Sequence, residues 1–175
     1  MYGEEASVVR QVLQADRRIL ETVGRWHRPT VTLLMRTLTR IGDASSWVFV
    51  ALVMLAAGGA ARHCGLLLAA ATAIATVMSQ ILKRTCRRPR PSSGIGGFIA
   101  LAENPDAFSF PSGHAAAAFA AAIALAGQGW LGTLYLSLAV AIALSRVYLG
   151  AHYPLDVAVG ASVGVLAGAF ARLLL

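Results

Sequence analysis

The sequence predicts an all-α fold, a polytopic membrane helical bundle in which five transmembrane helices are preceded by amphipathic interfacial helices. Two observations carry this expectation. Of 175 residues, 57% are hydrophobic and only 13% charged, with a mean hydropathy of +0.66, an excess that must face lipid because a soluble domain of this length cannot absorb it. The apolar residues also fall into separate runs, with Trp47 and Trp130 at positions expected of membrane interfaces. The length suits a single membrane-embedded domain over 1–175, divided into an amphipathic segment over 1–43 and a five-helix core over 45–175. No apolar stretch near the N-terminus leads into a small-residue cleavage site, so the first span is expected to persist in the mature protein. Cys64 and Cys86 have no motif spacing and imply neither a disulfide framework nor a metal site.

From Glu4 to Gly24, Val8, Val9, Val12, Leu13, Ile19, Leu20 and Val23 recur at helical spacing with Arg10, Gln14, Arg17, Arg18 and Glu21 between them. This predicts an amphipathic helix on the bilayer surface. After Arg28-Pro29, a shorter stripe of Val31, Leu34, Met35, Leu38 and Ile41 alternates with threonines, Arg36 and Arg40, too interrupted to span. Both stripes are equally suited to packing on other helices. The first span is expected over Ser45–Ala61, with Arg62-His63 marking the turn, and the second over Gly65–Leu82. The third, Ala115–Ala126, is shorter than the ~20 residues a bilayer asks for, so it must extend through the preceding turn or be buried among its neighbours. Gly127-Gln128-Gly129 turns the chain into the fourth span, Leu131–Leu144, continuing through Arg146; the fifth is Leu155–Leu175. Gly160, Gly164 and Gly168 lie four apart, and the third helix is almost all small residues, which predicts close packing of the two inside the bundle. A homodimer contact is the rival use of that stripe.

With spans alternating in direction, the polar residues collect on one face. Lys83 and Arg90 follow the second span, Ser112 and His114 open the third, Ser145 and Arg146 close the fourth, and His152 and Asp156 open the fifth. Ionisable groups at membrane depth are unfavourable and by default mark a functional site. Within Phe110-Pro111-Ser112-Gly113-His114, serine suits an N-cap, glycine admits close approach of a ligand, and the first helical N–H groups can hold an anion; taken alone, most such stretches merely cap a helix. The formal charge of +7 sits in blocks beside apolar spans, with no aromatic residues interleaved from Lys83 to Arg90. That distribution points to anionic lipid headgroups and a phosphate substrate rather than nucleic acid. Asp156, four residues beyond His152, is placed to accept a hydrogen bond from the ring and fix its tautomer, a nucleophile-and-orienter arrangement. Residue chemistry alone does not choose between the two histidines. Carboxylates are too few for a two-metal site, only Asp156 with Glu103 and Asp106 in the loop. No metal and no cofactor are expected, and the charge of a phosphoryl transition state falls to Lys, Arg and backbone N–H groups.

Three motifs are complete and in order: Lys83, six residues, Arg90-Pro91; Pro111-Ser112-Gly113-His114; and Ser145-Arg146, five residues, His152, three residues, Asp156. Together they resemble those of the type 2 phosphatidic acid phosphatase superfamily, membrane lipid phosphatases related to glucose-6-phosphatase and the vanadium haloperoxidases. The resemblance implies hydrolysis of a phosphomonoester or pyrophosphate on a phosphatidyl or polyprenyl lipid through a phosphohistidine. It implies that His152 attacks phosphorus with Asp156 orienting it, and that His114 protonates the leaving oxygen and then activates water. Lys83, Arg90 and Arg146, with the Ser112 hydroxyl and the Gly113 N–H, would hold the phosphate oxygens. A phosphotransferase using the same intermediate is the alternative, and complete motifs argue against a non-enzymatic anionic-lipid-binding protein. Of the 15 Lys and Arg residues, all but Arg62 and Arg172 fall on the face of the N-terminus and site, which by the positive-inside rule places that face on the cytoplasmic side of a bacterial cytoplasmic membrane. Gly94, Gly96 and Gly97 are expected to shape headgroup access. Arg84, Arg87 and Arg88 are expected to bind a second phosphate or anionic lipid, or to form a solvated interfacial patch.

Overall fold

A computed structural model of the chain describes residues 2–96, 98–102 and 106–175; Gly97 and Glu103, named above in the loop before Phe110, lie outside the described residues. Among the described residues eight helices follow in order: α1 (Tyr2–Gly24), α2 (Pro29–Ile41), α3 (Ala44–Ala57), α4 (Gly59–Cys86), α5 (Pro91–Gly94), α6 (Gly113–Ala124), α7 (Trp130–Tyr148) and α8 (Pro154–Leu174). Among the described residues the sole β pairing is an isolated bridge between Pro89 and Phe108. Among the described residues three helices, α4, α7 and α8, are long and apolar enough to cross a membrane, and α2 with α3 passes only as a pair bent by 52°, a broken span or a re-entrant loop. The chain is therefore a multi-pass membrane protein.

The 12-residue α6 is the hub. At 1.5 Å per residue it reaches only about 18 Å, yet lipid does not surround it. It packs against α4, α7 and α8, and every one of its alanines is buried. Small side chains permit this. A Cβ at Gly160 of α8 would run into the Ser112 carbonyl oxygen, one at Gly164 into that of Ala116, and one at Gly168 would lie 2.7 Å from that of Ala120. The glycine stripe is thus filled by α6, and the surface that a dimer contact would need is already occupied within the chain.

The turn between the first two apolar runs falls earlier than expected. Arg62 and His63 lie within α4, and the chain reverses at Gly58-Gly59, whose φ values of +71° and +54° suit glycine. At the N-terminus, α1 exposes Val8, Val12, Leu13 and Ile19 and buries Asp16 and Leu20. Leu20 packs with Ile95 and Tyr153. α2 lies against α7, where Arg146 Nη1 donates to Thr39 Oγ1. Both N-terminal helices therefore dock at the end of the bundle that carries the polar residues.

Replacing Gly164 by Leu should force α8 away from α6. Overpacking of this kind destabilises by about 1–3 kcal/mol or more, so the thermal midpoint of the detergent-solubilised protein should fall; an unchanged midpoint would contradict the close-approach account.

Candidate active site

Hydrogen bonds to backbone carbonyls first bring the three motifs together. Past α4 the chain is tied to the segment before α6 by the Pro89–Phe108 bridge and by Ser109 N donating to Arg88 O at 2.9 Å. Ser112 N donates to Asp156 O at 2.9 Å, joining the start of α6 to the start of α8. Arg90 Nη1 donates to Ala151 O at 2.8 Å, joining the first motif to the third. These bonds satisfy buried polar groups of one motif with those of another, as buried backbone requires.

His152 sits in the short connection between α7 and α8 and is 1% exposed. Its Nδ1 lies 2.6 Å from the Ser109 carbonyl oxygen and 3.8 Å from Asp156 Oδ2. A carbonyl only accepts, so Nδ1 carries the proton and Nε2 keeps its lone pair. The tautomer that the sequence reading assigned to Asp156 alone is set in this geometry by the Ser109 carbonyl, with the carboxylate close enough to act through its charge. Burial, and secondarily the positive charges of Arg146 and Arg90, push the imidazole pKa down to about 4 against the opposing pull of Asp156. The ring is therefore neutral at physiological pH, the state a nitrogen nucleophile needs.

Lys83, Arg90, Gly113, His114, Arg146 and His152 all line one cavity of about 250 Å³. Within it, Asp106 pairs with Lys83 at 2.5 Å and with the Arg90 guanidinium. Burial alone would raise the Asp106 carboxyl, but hydrogen bonds from Lys83 and Arg90 outweigh it and hold its pKa below the ordinary carboxylate value. His114 Nε2 is 2.8 Å from Asp43 Oδ1, which lines the cavity from the α2–α3 break. Ser112 and Asp156 stand behind the wall. The Ser112 hydroxyl is fully buried and caps α6 through Ala115 N at 3.4 Å rather than facing the cavity. Asp156 is also fully buried; Oδ1 accepts from Arg88 Nη1 at 2.7 Å and Oδ2 from Tyr153 N at 3.0 Å.

Several contributors escaped sequence reasoning. Asp43 had a weak signal, an acidic residue between two helices on the polar face. Asp16 had none beyond being an isolated acid in a basic stripe. Arg88 does not belong to a solvated patch, since its guanidinium is bound by Asp16 and Asp156, whereas Arg84 and Arg87 are exposed.

Among the described residues, a helical membrane bundle that converges two histidines and three cations on one cavity is suited to binding and transferring a phosphoryl group. The PAP2 superfamily profile matches residues 64–175, and the chain belongs to that superfamily. It is 35% identical over 143 residues to decaprenylphosphoryl-5-phosphoribose phosphatase of Mycobacterium tuberculosis, covering 81% of this chain and 79% of that protein. Among solved structures it is similar to Aquifex aeolicus LpxE, with a TM-score of 0.79 at 26% identity, over 89% of this chain and 93% of the other. It matches the PAP2-type phosphatidylglycerolphosphate phosphatase of Bacillus subtilis with the same TM-score and identity, over 94% and 86% of the two chains.

An NMR titration should find the His152 ring, assigned by its loss in His152→Ala, protonating with a midpoint near 4. A midpoint near the ordinary ~6.5 would overturn the buried, neutral description.

Proposed function

We propose that the protein hydrolyses a phosphomonoester or pyrophosphate on a lipid carrier by way of a phosphohistidine. The observation that carries this reading is the convergence of Lys83, Arg90, His114, Arg146 and His152 on one cavity. In the proposed reaction His152 Nε2 attacks phosphorus and the bond to the leaving oxygen breaks. His114 gives that oxygen its proton, then removes one from the water that cleaves the P–N bond and regenerates His152. Lys83, Arg90, Arg146 and the N-terminal amides of α6 offset the negative charge of the phosphoryl oxygens. Asp106 pairs with two of these cations and must yield them to the substrate phosphate.

A second cavity supports a lipid substrate. It lies between α3 and α4, has a volume of about 430 Å³, is lined by Trp47, Val48, Leu52, Leu55 and Val77 among others, and shares Ala44, Thr76 and Ala117 with the catalytic cavity. A single apolar chain fits such a groove with its phosphate at the polar end. The mycobacterial relative, named for a polyprenyl substrate, favours a polyprenyl phosphoester over a phosphatidyl one. Phosphate release should be measured across a panel of polyprenyl and phosphatidyl phosphates and pyrophosphates. Turnover is expected for at least one, fastest for a polyprenyl phosphoester, and His152→Ala should abolish it while leaving the thermal midpoint unchanged. Wild-type-like turnover by His152→Ala would sink the mechanism.

In this reading α3, α4, α6, α7 and α8 form five crossings of a bacterial cytoplasmic membrane, and α1 and the outer face of α2 rest on the anionic interface. The basic excess at the site end supports a cytoplasm-facing active site. Cys86 is a native reporter, exposed at that end while Cys64 is buried. A membrane-impermeant maleimide should label Cys86 only after the cells are opened; labelling in intact cells would turn the site outward.

A further inference from the structure

Asp16 is 4% exposed on a helix whose other described side chains are mostly exposed, and a carboxylate is seldom buried unless paired. Its partners lie at the catalytic end. Asp16 Oδ2 is 2.6 Å from Arg88 Nη2, and Asp16 Oδ1 accepts from Leu155 N at 2.8 Å. The other arm of the same guanidinium, Nη1, is 2.7 Å from Asp156 Oδ1, and the group lies 4.0 Å over the Tyr153 ring. Arg88 is thus held between two carboxylates, one on the N-terminal helix and one beside His152.

Resting on the phosphatase reading above, we infer that Asp16 is a positioning residue for catalysis, which neutralises and orients Arg88 so that Asp156 keeps its negative charge directed at His152. The charges decide the matter. Arg88 paired with Asp156 alone would be a neutral unit, whereas Asp16, Arg88 and Asp156 together carry one net negative charge. Attack by Nε2 while Nδ1 keeps its proton leaves positive charge on the ring, and Arg90, with Nη1 3.4 Å from Nε2, already opposes it. A neutralised Asp156 would give that ring little support. Asp16 lies outside the 64–175 segment matched by the superfamily, so α1 contributes to the site a charge that the matched segment does not contain.

The test uses the full-length enzyme reconstituted in bicelles, with the lipid phosphate that the panel finds fastest. Asp16→Asn isolates the charge, because its side-chain oxygen can still accept from Leu155 N while the link to Arg88 is lost. It should lower kcat about tenfold, the order expected of one unit charge acting across roughly 12 Å at an effective dielectric of ~20, with KM within about twofold. Asp16→Glu should recover part of that loss. Arg88→Ala removes the cation that would neutralise Asp156, so adding Asp16→Asn to it should cost far less than the tenfold lost in the wild-type background. Wild-type kcat in Asp16→Asn would overturn the inference, as would losses that multiply in the double variant. So would a loss fully explained by less folded enzyme, with kcat per folded molecule unchanged. A wild-type enzyme that releases phosphate from no lipid in the panel sinks the phosphatase reading itself, which separates the two failures.

Discussion

The hydrogen bond from the Ser112 amide to the Asp156 carbonyl is the joint on which the site depends. It fixes the starts of α6 and α8 against each other at the place where His114 must face His152. The contact is possible only because the two helices continue side by side at backbone distance, with Gly160, Gly164 and Gly168 under successive carbonyls of α6. Interhelical packing in lipid gains little from apolar burial, so van der Waals contact between small residues takes over that role. Precision at the polar end is inherited from packing along the apolar length.

The same end of the molecule carries an electrostatic problem. Four cations and two histidines gather within or beside one cavity, and close like charges are unfavourable at low dielectric. Three carboxylates from three different places relieve it: Asp106 for Lys83 and Arg90, Asp43 for His114, and Asp16 for Arg88. Two of these arrive from elements N-terminal to the matched superfamily segment. The N-terminal helices are therefore bound into the charge balance of the site as well as resting against the bundle.

This division explains what was legible in the sequence. Lipid forces spans to alternate in direction, so Lys83, Arg90, His114, Arg146 and His152 could be gathered on one face by counting spans, and the cavity brings those residues together. The packing of α8 on α6 was equally legible, because glycines four apart have few other uses. Asp16 and Asp43 were not, because their partners lie 72 and 71 residues away and an isolated acid has no periodicity to betray it. Nor was the Ser109 carbonyl that sets the His152 tautomer, since a backbone acceptor has no residue-type signature. The turn sits at Gly58-Gly59 because the backbone freedom of two glycines, and not the charge of Arg62, ends the first apolar run.

The groove between α3 and α4 bears on how a substrate is met. Its apolar walls join the catalytic cavity at Ala44, Thr76 and Ala117, so a phosphorylated lipid bound as proposed would approach within the plane of the bilayer, by diffusion in two dimensions. The quantity that sets occupancy is then the mole fraction of substrate among surrounding lipids, not its molarity in water. Added inert lipid or detergent dilutes such a substrate without changing its amount, and the enzyme responds to the crowding of its own membrane.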